Sequence, residues 1–368
     1  MDFNLYLILF MILGFWGIMN YLSPFLKDRG IEVAGFVLLW RTERSIEMID
    51  NISRKMGRLW DYFAKAGIVV SLLGSIYVVY YLINSILEMK ESTEPVQSVT
   101  LAIPGLTIPL WYGLIGLITL IIVHEFSHGI VARRENIPLK SVGAGVFLVL
   151  PLAFVEPKEE EMKKASPWSR IKIYGAGSTA NFVLGLVTLL LVMLLNPLIV
   201  GDGIVIKSVQ EGMPAYGVLE EGMIIYEVNG IPFHNEKEFA EIMAKFKPGD
   251  EIVLKTNKGE RKMTLTENPE DPNRGYMGIF LQTHLTTKYG KFLLPVYFSI
   301  FWISLLNIGI GLMNLLPIPY ILDGGKIIKE LLEMKLSKKL SNMISVALTV
   351  ICLILLLINF FPKILVIL

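Results

Sequence analysis

Of the 368 residues 53% are apolar and only 18% are charged, against roughly 25% charged in a soluble domain, and the mean hydropathy is +0.57. A soluble globular enzyme is excluded, and 34 basic against 33 acidic residues leave a net charge of +1 that gives nucleic acid no electrostatic hold. A single cysteine, Cys352, excludes an intrachain disulfide and any Cys-rich metal motif, and four histidines leave few ways to build a metal site.

A helix that crosses a bilayer needs about 17–25 consecutive apolar residues, because its backbone must satisfy itself where there is no water. Five blocks free of Asp, Glu, Lys and Arg reach that length, at 3–26, 66–87, 95–123, 173–201 and 340–362, and a sixth runs from 292 to 322. The first is expected to remain as an anchor rather than act as a signal peptide, since Asp2 and not a basic region precedes it. Orientation follows from Lys and Arg in the short connections. Residues 23–65 carry eight, 133–172 eight and 324–341 five, whereas 88–108 carries only Lys90 and the tail only Lys363. The bias of 21 to 2 predicts a multi-pass cell-membrane protein with both termini outside and the three basic segments in the cytoplasm.

Residues 141–155 are uncharged, contain Gly143 and Gly145, and are rich in Val, Leu and Phe. The stretch is short for a spanning helix and long for a surface loop. It is predicted to be re-entrant, as a β-hairpin covered by protein or facing a wet cavity, the setting in which such backbone survives at membrane depth.

From Asp202 to about residue 291 the composition turns to mixed charge with period-2 alternation. Strands at 224–228 and 231–233 flank Asn229-Gly230, and strands at 251–256 and 261–266 flank Asn257-Lys258-Gly259; both are hairpin signals. Between them Asn235 with Glu238 reads as a capping box, Phe239, Ile242, Met243 and Phe246 form one helical face, and Pro248-Gly249 ends the helix. With a closing strand over 275–280, this order resembles a prokaryotic, circularly permuted PDZ domain. The resemblance implies that Tyr276, Met277, Gly278 and Ile279 form a loop that receives a peptide carboxylate beside a strand edge open to β-augmentation; a plain β-turn is the other reading.

At the cytoplasmic end of the third block stands His124-Glu125-Phe126-Ser127-His128. Residues four apart share a helix face, so both histidines can bind one metal, and Glu125, one step round, can reach a water held there. Glu125 lies eight residues before Arg133, about 12 Å along a helix, too far for a short carboxylate to reach bulk water with ease. Ionisable groups within a membrane helix mark function by default. A catalytic zinc usually takes a third protein ligand. His234 and His284 lie in the outer insert, so the candidate is the carboxylate at matching depth, Asp323. Before it Pro317 and Pro319 break the helix, and after it Gly324 and Gly325 allow close backbone approach.

HEFSHG at 124–129, NLLPIPYILDGG at 314–325 and a PDZ-like insert between the spans that follow the HExxH helix together resemble the site-2 protease family of intramembrane zinc metalloproteases, over residues 95–325. The resemblance implies one Zn2+ per chain on His124, His128 and Asp323, with Glu125 as catalytic acid/base. Residues 175–181 look like the family's glycine-containing segment ending in Asn, with Ala176 where proline is often seen. Asn181 and Asn314 are then substrate-backbone contacts, or else interhelical hydrogen-bonding groups.

The expected architecture is a polytopic α-helical membrane protein of about six transmembrane helices with a re-entrant segment and an inserted α+β PDZ-like domain. Residues 1–94 would hold two helices and a cytoplasmic loop, 95–201 the first half of the catalytic core, 202–290 the extracytoplasmic PDZ-like domain, 291–340 the second half of the core and 341–368 the last helix. The implied partners are transmembrane protein substrates, the lipid bilayer and a C-terminal peptide at the insert, and the implied activity is regulated intramembrane proteolysis. A membrane-anchored zinc protease of soluble or misfolded proteins, a non-catalytic PDZ scaffold and a transporter with the intramembrane polar residues as an ion path are the rivals. Against the first, no sizeable cytoplasmic domain exists to carry such a site; against the second, a scaffold needs no base beside two metal ligands.

Overall fold

The computed structural model describes residues 3–42, 44–91, 97–287, 289–290 and 292–362. In chain order, helix α1 (Phe3–Leu26) precedes strands β1 (Ile31–Ala34) and β2 (Val37–Thr42) and helices α2 (Arg44–Lys55), α3 (Gly57–Glu91) and α4 (Leu110–Arg134). Strands β3 (Leu139–Phe147) and β4 (Leu150–Pro157), short α5 (Glu159–Lys164) and α6 (Pro167–Leu195) follow. Next come β5 (Val200–Val209), β6 (Ile224–Val228), β7 (Ile231–Pro232), α7 (Glu236–Met243), β8 (Glu251–Thr256), β9 (Gly259–Thr264), β10 (Thr266–Glu267), β11 (Gly275–Tyr276) and β12 (Ile279–Thr286). The chain ends with α8 (Leu293–Met313), α9 (Asp323–Glu333) and α10 (Lys338–Phe360). Two compact units result, Met1–Leu190 with Ser299–Leu368, and Leu191–Phe298.

Helices α3, α4, α6, α8 and α10 are long and apolar enough to cross a membrane, and α1 is a further apolar helix of 24 residues. The protein is a polytopic helical membrane protein. All six apolar blocks carry helix, but the third departs from expectation: α4 starts at Leu110, and 97–109 is not helical. Pro104 and Pro109 and a left-handed Gly105 (φ 81°) prevent it, and Thr107 Oγ1 accepts the Ile103 N–H at 2.8 Å, holding the turn.

The segment expected to be re-entrant is the hairpin β3–β4, paired from Leu139↔Pro157 to Phe147↔Leu150. Sequence reading missed its extension: β1 and β2 add to it in the order β1-β2-β3-β4, with Val37↔Phe147 through Thr42↔Val142 in register. Gly143 and Gly145 permit this, since a Cβ on either would run into the carbonyl oxygens of Trp40 and Leu38 on β2. The Trp16 indole of α1 is buried and donates to Leu148 O at the hairpin turn, 3.1 Å away. Strand β4 is left at the sheet's edge.

Ile49 of α2, Ile130, Val131 and Ala132 of α4, Val155 of β4 and Ile173 and Ala176 of α6 form one buried cluster, so the sheet and the HExxH helix share a core. Ion pairs lock its polar end. Arg133 pairs with Asp50, and Arg134 grips Asp61 through two contacts of 2.8 and 2.9 Å. Arg170 of α6 forks onto Glu330 of α9 at 2.6 and 2.7 Å, which fixes the helix that starts at Asp323. The chain between α8 and α9 turns where Pro317 and Pro319 forbid helix. Ser75 of α3 donates to Leu315 O at 2.7 Å, and Gly324 N–H donates to Asn314 O at 3.0 Å. A Cβ on Gly324 or Gly325 would occupy the space of the backbone at Leu315 or Ile318, which explains the glycine pair.

The second unit is an α+β domain of PDZ-like type. Its main sheet runs β12-β5-β6-β8-β9 with β7 on β6, and β10 pairs with β11. Ile204, Ile206, Ile225, Ile252 and Leu254 are fully buried beneath α7, whose Phe239 and Ile242 join them. Asn229 and Gly230 turn the first hairpin at φ 49° and 76°, as the sequence predicts. The second hairpin is tighter than expected: Thr256 pairs with Gly259, so only Asn257 and Lys258 turn, and β9 starts at Gly259 rather than 261. Asn235 Oδ1 accepts Glu238 N–H at 2.9 Å, and Glu238 Oε2 accepts the His234 N–H at 2.8 Å. The His234 backbone N–H foremost, then the His234 ring and the Asn235 amide, hold the Glu238 carboxyl below its ordinary range. The closing strand is split, with β11 and β12 separated by Met277 and a left-handed Gly278 (φ 76°).

Candidate metal centre

His124 and His128 sit one turn apart on α4 with their rings edge to face, 4.7 Å between centroids. Across from them α9 begins at Asp323, which is buried. The Nε2 atoms of the two histidines lie 3.1 Å apart, and each is 3.1 Å from Asp323 Oδ2. Three atoms from residues 4 and 195 positions apart in the chain thus form an equilateral triangle, and their side chains are only 12%, 12% and 4% exposed. The other carboxylate oxygen of Asp323 takes Lys326 Nζ at 3.1 Å.

Ligands about 2.0–2.1 Å from a tetrahedral zinc lie about 3.3 Å from one another. The 3.1 Å triangle matches that edge closely, and two imidazoles with a carboxylate make a donor set suited to zinc. The residues fit the ion.

Glu125 Oε2 accepts the backbone N–H of Val155 on β4 at 3.1 Å, which explains why the hairpin stands beside the HExxH helix. Asn314 Nδ2 lies 3.1 Å from His124 Nε2 and 3.0 Å from Asp323 Oδ2, against two corners of the triangle. Asn181 is 1% exposed, with Nδ2 3.1 Å from His124 Nδ1. The structure therefore gathers six of the residues singled out from the sequence, His124, Glu125, His128, Asn181, Asn314 and Asp323, within one cluster. Gly177 was missed. A Cβ there would lie 2.5 Å from His128 Nε2 and 2.6 Å from His124 Nε2, so α6 passes directly against the ligand nitrogens of both rings; the four-residue spacing of Ile173, Gly177 and Asn181 was the available signal.

Two cavities meet at His124, Glu125 and Asn314. One, of about 470 Å3, is lined by apolar groups such as Leu120, Ile121, Ile310, Met313 and Phe360 and by the extended chain at Val99–Ala102. The other, of about 490 Å3, also holds His128 and Asp323 and is lined by Glu156, Glu159, Tyr174 and Lys326. Tyr276, Met277 and Ile279 belong to the second unit, where with Phe239 and Met243 they line a separate cavity of about 380 Å3 between α7 and the start of β12.

A multi-pass membrane protein with a buried His, His, Asp cluster and a glutamate beside it is of the zinc metalloendopeptidase class. The sequence profile of peptidase family M50 matches residues 112–359, and the chain belongs to that family. An uncharacterized protein of Methanocaldococcus jannaschii is 28% identical over 286 residues, 77% of this chain and 74% of that one. The zinc metalloprotease RasP of Bacillus licheniformis is 24% identical, over 56% of this chain and 61% of its own. A membrane-bound transcription factor site-2 protease homolog of Arabidopsis thaliana is 25% identical over 36% of this chain and 27% of its own. Among solved structures, the PDZ domain of an SdrC-like protein of Listeria innocua is 32% identical and covers 23% of this chain and 97% of that one, with a TM-score of 0.21.

Proposed function

We propose that this zinc metalloendopeptidase cleaves peptide bonds within the transmembrane segments of membrane-protein substrates, in regulated intramembrane proteolysis. The observation that carries the reading is the meeting of an apolar and a polar cavity at His124, Glu125 and Asn314. A substrate helix has a lipid-like approach on one side, and water an approach lined by charged groups on the other.

In this reading His124, His128 and Asp323 hold zinc, which when bound polarises the scissile carbonyl and acidifies water. Glu125 takes the water proton and returns it to the departing amine. Its Oε2 is steadied by Val155 N–H, which leaves Oε1 to accept the proton. Asn314, whose amide adjoins two ligand atoms, binds the substrate backbone. A transmembrane helix hides its carbonyls in its own bonds, and the edge of β4 accepts the groups freed when part of it unwinds.

The charge bias supports an active site near the cytoplasmic face, with both termini and the PDZ-like domain outside. The domain then acts as a size filter on substrate ectodomains; capture of a C-terminal carboxylate at Tyr276–Ile279 is the competing role, supported by the cavity beside that loop. The test is purified protein in liposomes with single-span substrates, with and without a zinc chelator, beside Glu125→Gln. A product that maps to the apolar segment, lost with chelator and in the mutant, is expected. Turnover by Glu125→Gln at the wild-type rate, or cleavage confined to soluble proteins, would overturn the proposal.

A further inference from the structure

A histidine that gives Nε2 to a metal must carry its proton on Nδ1, so a hydrogen-bond acceptor at Nδ1 decides whether the ring is ready to bind. One stripe of α6 runs along both rings and meets their Nδ1 atoms at its two ends. Ile173, Gly177 and Asn181 are four residues apart and so lie on one side of that helix, and His124 and His128 have the same spacing on α4. Ile173 O lies 2.6 Å from His128 Nδ1. A carbonyl only accepts, so this ring is fixed with its proton on Nδ1 and a lone pair on Nε2. Gly177 leaves room for the rings themselves.

At the other end of the stripe, Asn181 Nδ2 stands 3.1 Å from His124 Nδ1, while Asn181 Oδ1 is buried without a hydrogen-bond partner among the described residues. An amide N–H donated to Nδ1 would drive the ring proton onto Nε2, into the triangle of ligand atoms. The two ends of a carboxamide have nearly the same shape. Turned by half a revolution, Asn181 puts Oδ1 against Nδ1, where it accepts the ring N–H and leaves the Nε2 lone pair facing His128 Nε2 and Asp323 Oδ2, while Nδ2 takes the buried place that Oδ1 leaves.

We infer that Asn181 is a positioning residue for the metal site: through Oδ1 it holds His124 in the Nδ1–H tautomer, as Ile173 O holds His128. Its place is behind the imidazole rather than on the substrate, and its action runs through His124. The inference rests on the proposed ligation by His124, His128 and Asp323.

Zinc affinity tests it without any substrate. Purified full-length wild type, Asn181→Leu and Asn181→Asp are titrated with zinc against a competing chelator. Leucine removes the acceptor, and affinity is expected to fall about 10- to 100-fold, the usual cost of losing a hydrogen bond to a metal-bound histidine. Aspartate keeps an acceptor but cannot donate, and its affinity should stay within about threefold of wild type. Wild-type affinity in Asn181→Leu would overturn the inference, because a substrate contact or a purely interhelical bond predicts that result. If the leucine variant does not fold, the aspartate variant decides: a loss of about 10-fold or more means that the amide was donating, and the inference falls. A wild-type protein that binds no zinc would instead refute the ligation on which it rests.

Discussion

Alanine at Gly177 would add one carbon atom against the ligand nitrogens of both imidazoles, and the structure sets the size of the disturbance. The new Cβ would stand 2.5 Å from His128 Nε2 and 2.6 Å from His124 Nε2 and Cε1, whereas unstrained carbon contacts begin at about 3.5 Å. Each ring must retreat by almost an ångström, several times the tolerance of about 0.2 Å within which metal bonds keep their length. Four-ligand zinc sites bind with roughly 10–16 kcal/mol, or about 3 kcal/mol per ligand. Displacing even one histidine should therefore weaken zinc binding at least about 100-fold. Folding should not suffer equally, because alanine is favoured over glycine inside a helix by roughly 0.5–1 kcal/mol. Chelator competition gives the affinity, and thermal unfolding of the zinc-stripped proteins gives the stability. Wild-type zinc affinity in Gly177→Ala would show that α6 does not back the site as described.

Asp323→Asn should lower zinc occupancy and proteolysis together, since a neutral ligand holds the cation less well; stoichiometric zinc by atomic absorption with unchanged cleavage would remove Asp323 from the ligand set. Val155→Pro deletes the N–H that Glu125 Oε2 accepts, and a charge-assisted bond of about 1.5–3 kcal/mol predicts a kcat about 10- to 100-fold lower with zinc retained. Val155→Ala keeps the N–H and should lose far less, so equal losses in the two variants would point to packing. Replacing residues 203–284 by a short Gly/Ser linker should leave zinc binding intact and admit substrates with large ectodomains; loss of all cleavage in a folded, zinc-loaded protein would make the domain a required docking element.

Local chemistry made the main parts of the site legible. Four-residue spacing on an uncharged helix announces His124 and His128, and two prolines followed by two glycines announce the bend at Asp323. Asn229-Gly230 and the Asn235 capping box were equally readable, because each is settled by dihedral preference or by hydrogen bonds within a few residues. Pairing across about a hundred residues was not. Strand β2 carries no mark that it will lie on Val142–Phe147, and Gly143 and Gly145 become meaningful only once a partner strand is present. The 97–109 stretch is apolar enough for a span, and hydropathy outweighed Pro104, Gly105 and Pro109, which the backbone obeys. Asn181 was noticed in its glycine-containing segment, but its contact with His124 depends on which face of α6 meets α4.

Strand β4 has a further consequence for what can be cut. Because Val155 turns its N–H away from β3 and towards Glu125, the residues two apart from it, Pro151, Ala153 and Pro157, also face the open edge. The prolines offer no N–H, and Val155 gives its own to Glu125, which leaves Ala153 as the outward donor among them. A strand laid along this edge can bond over only a few residues and in essentially one register. On the proposed function, a substrate helix then needs to surrender about one turn, while the rest of it keeps its internal hydrogen bonds in the lipid. Under that proposal entry into the site is a local melting problem, governed by the helix-breaking residues within that turn rather than by the stability of the whole span.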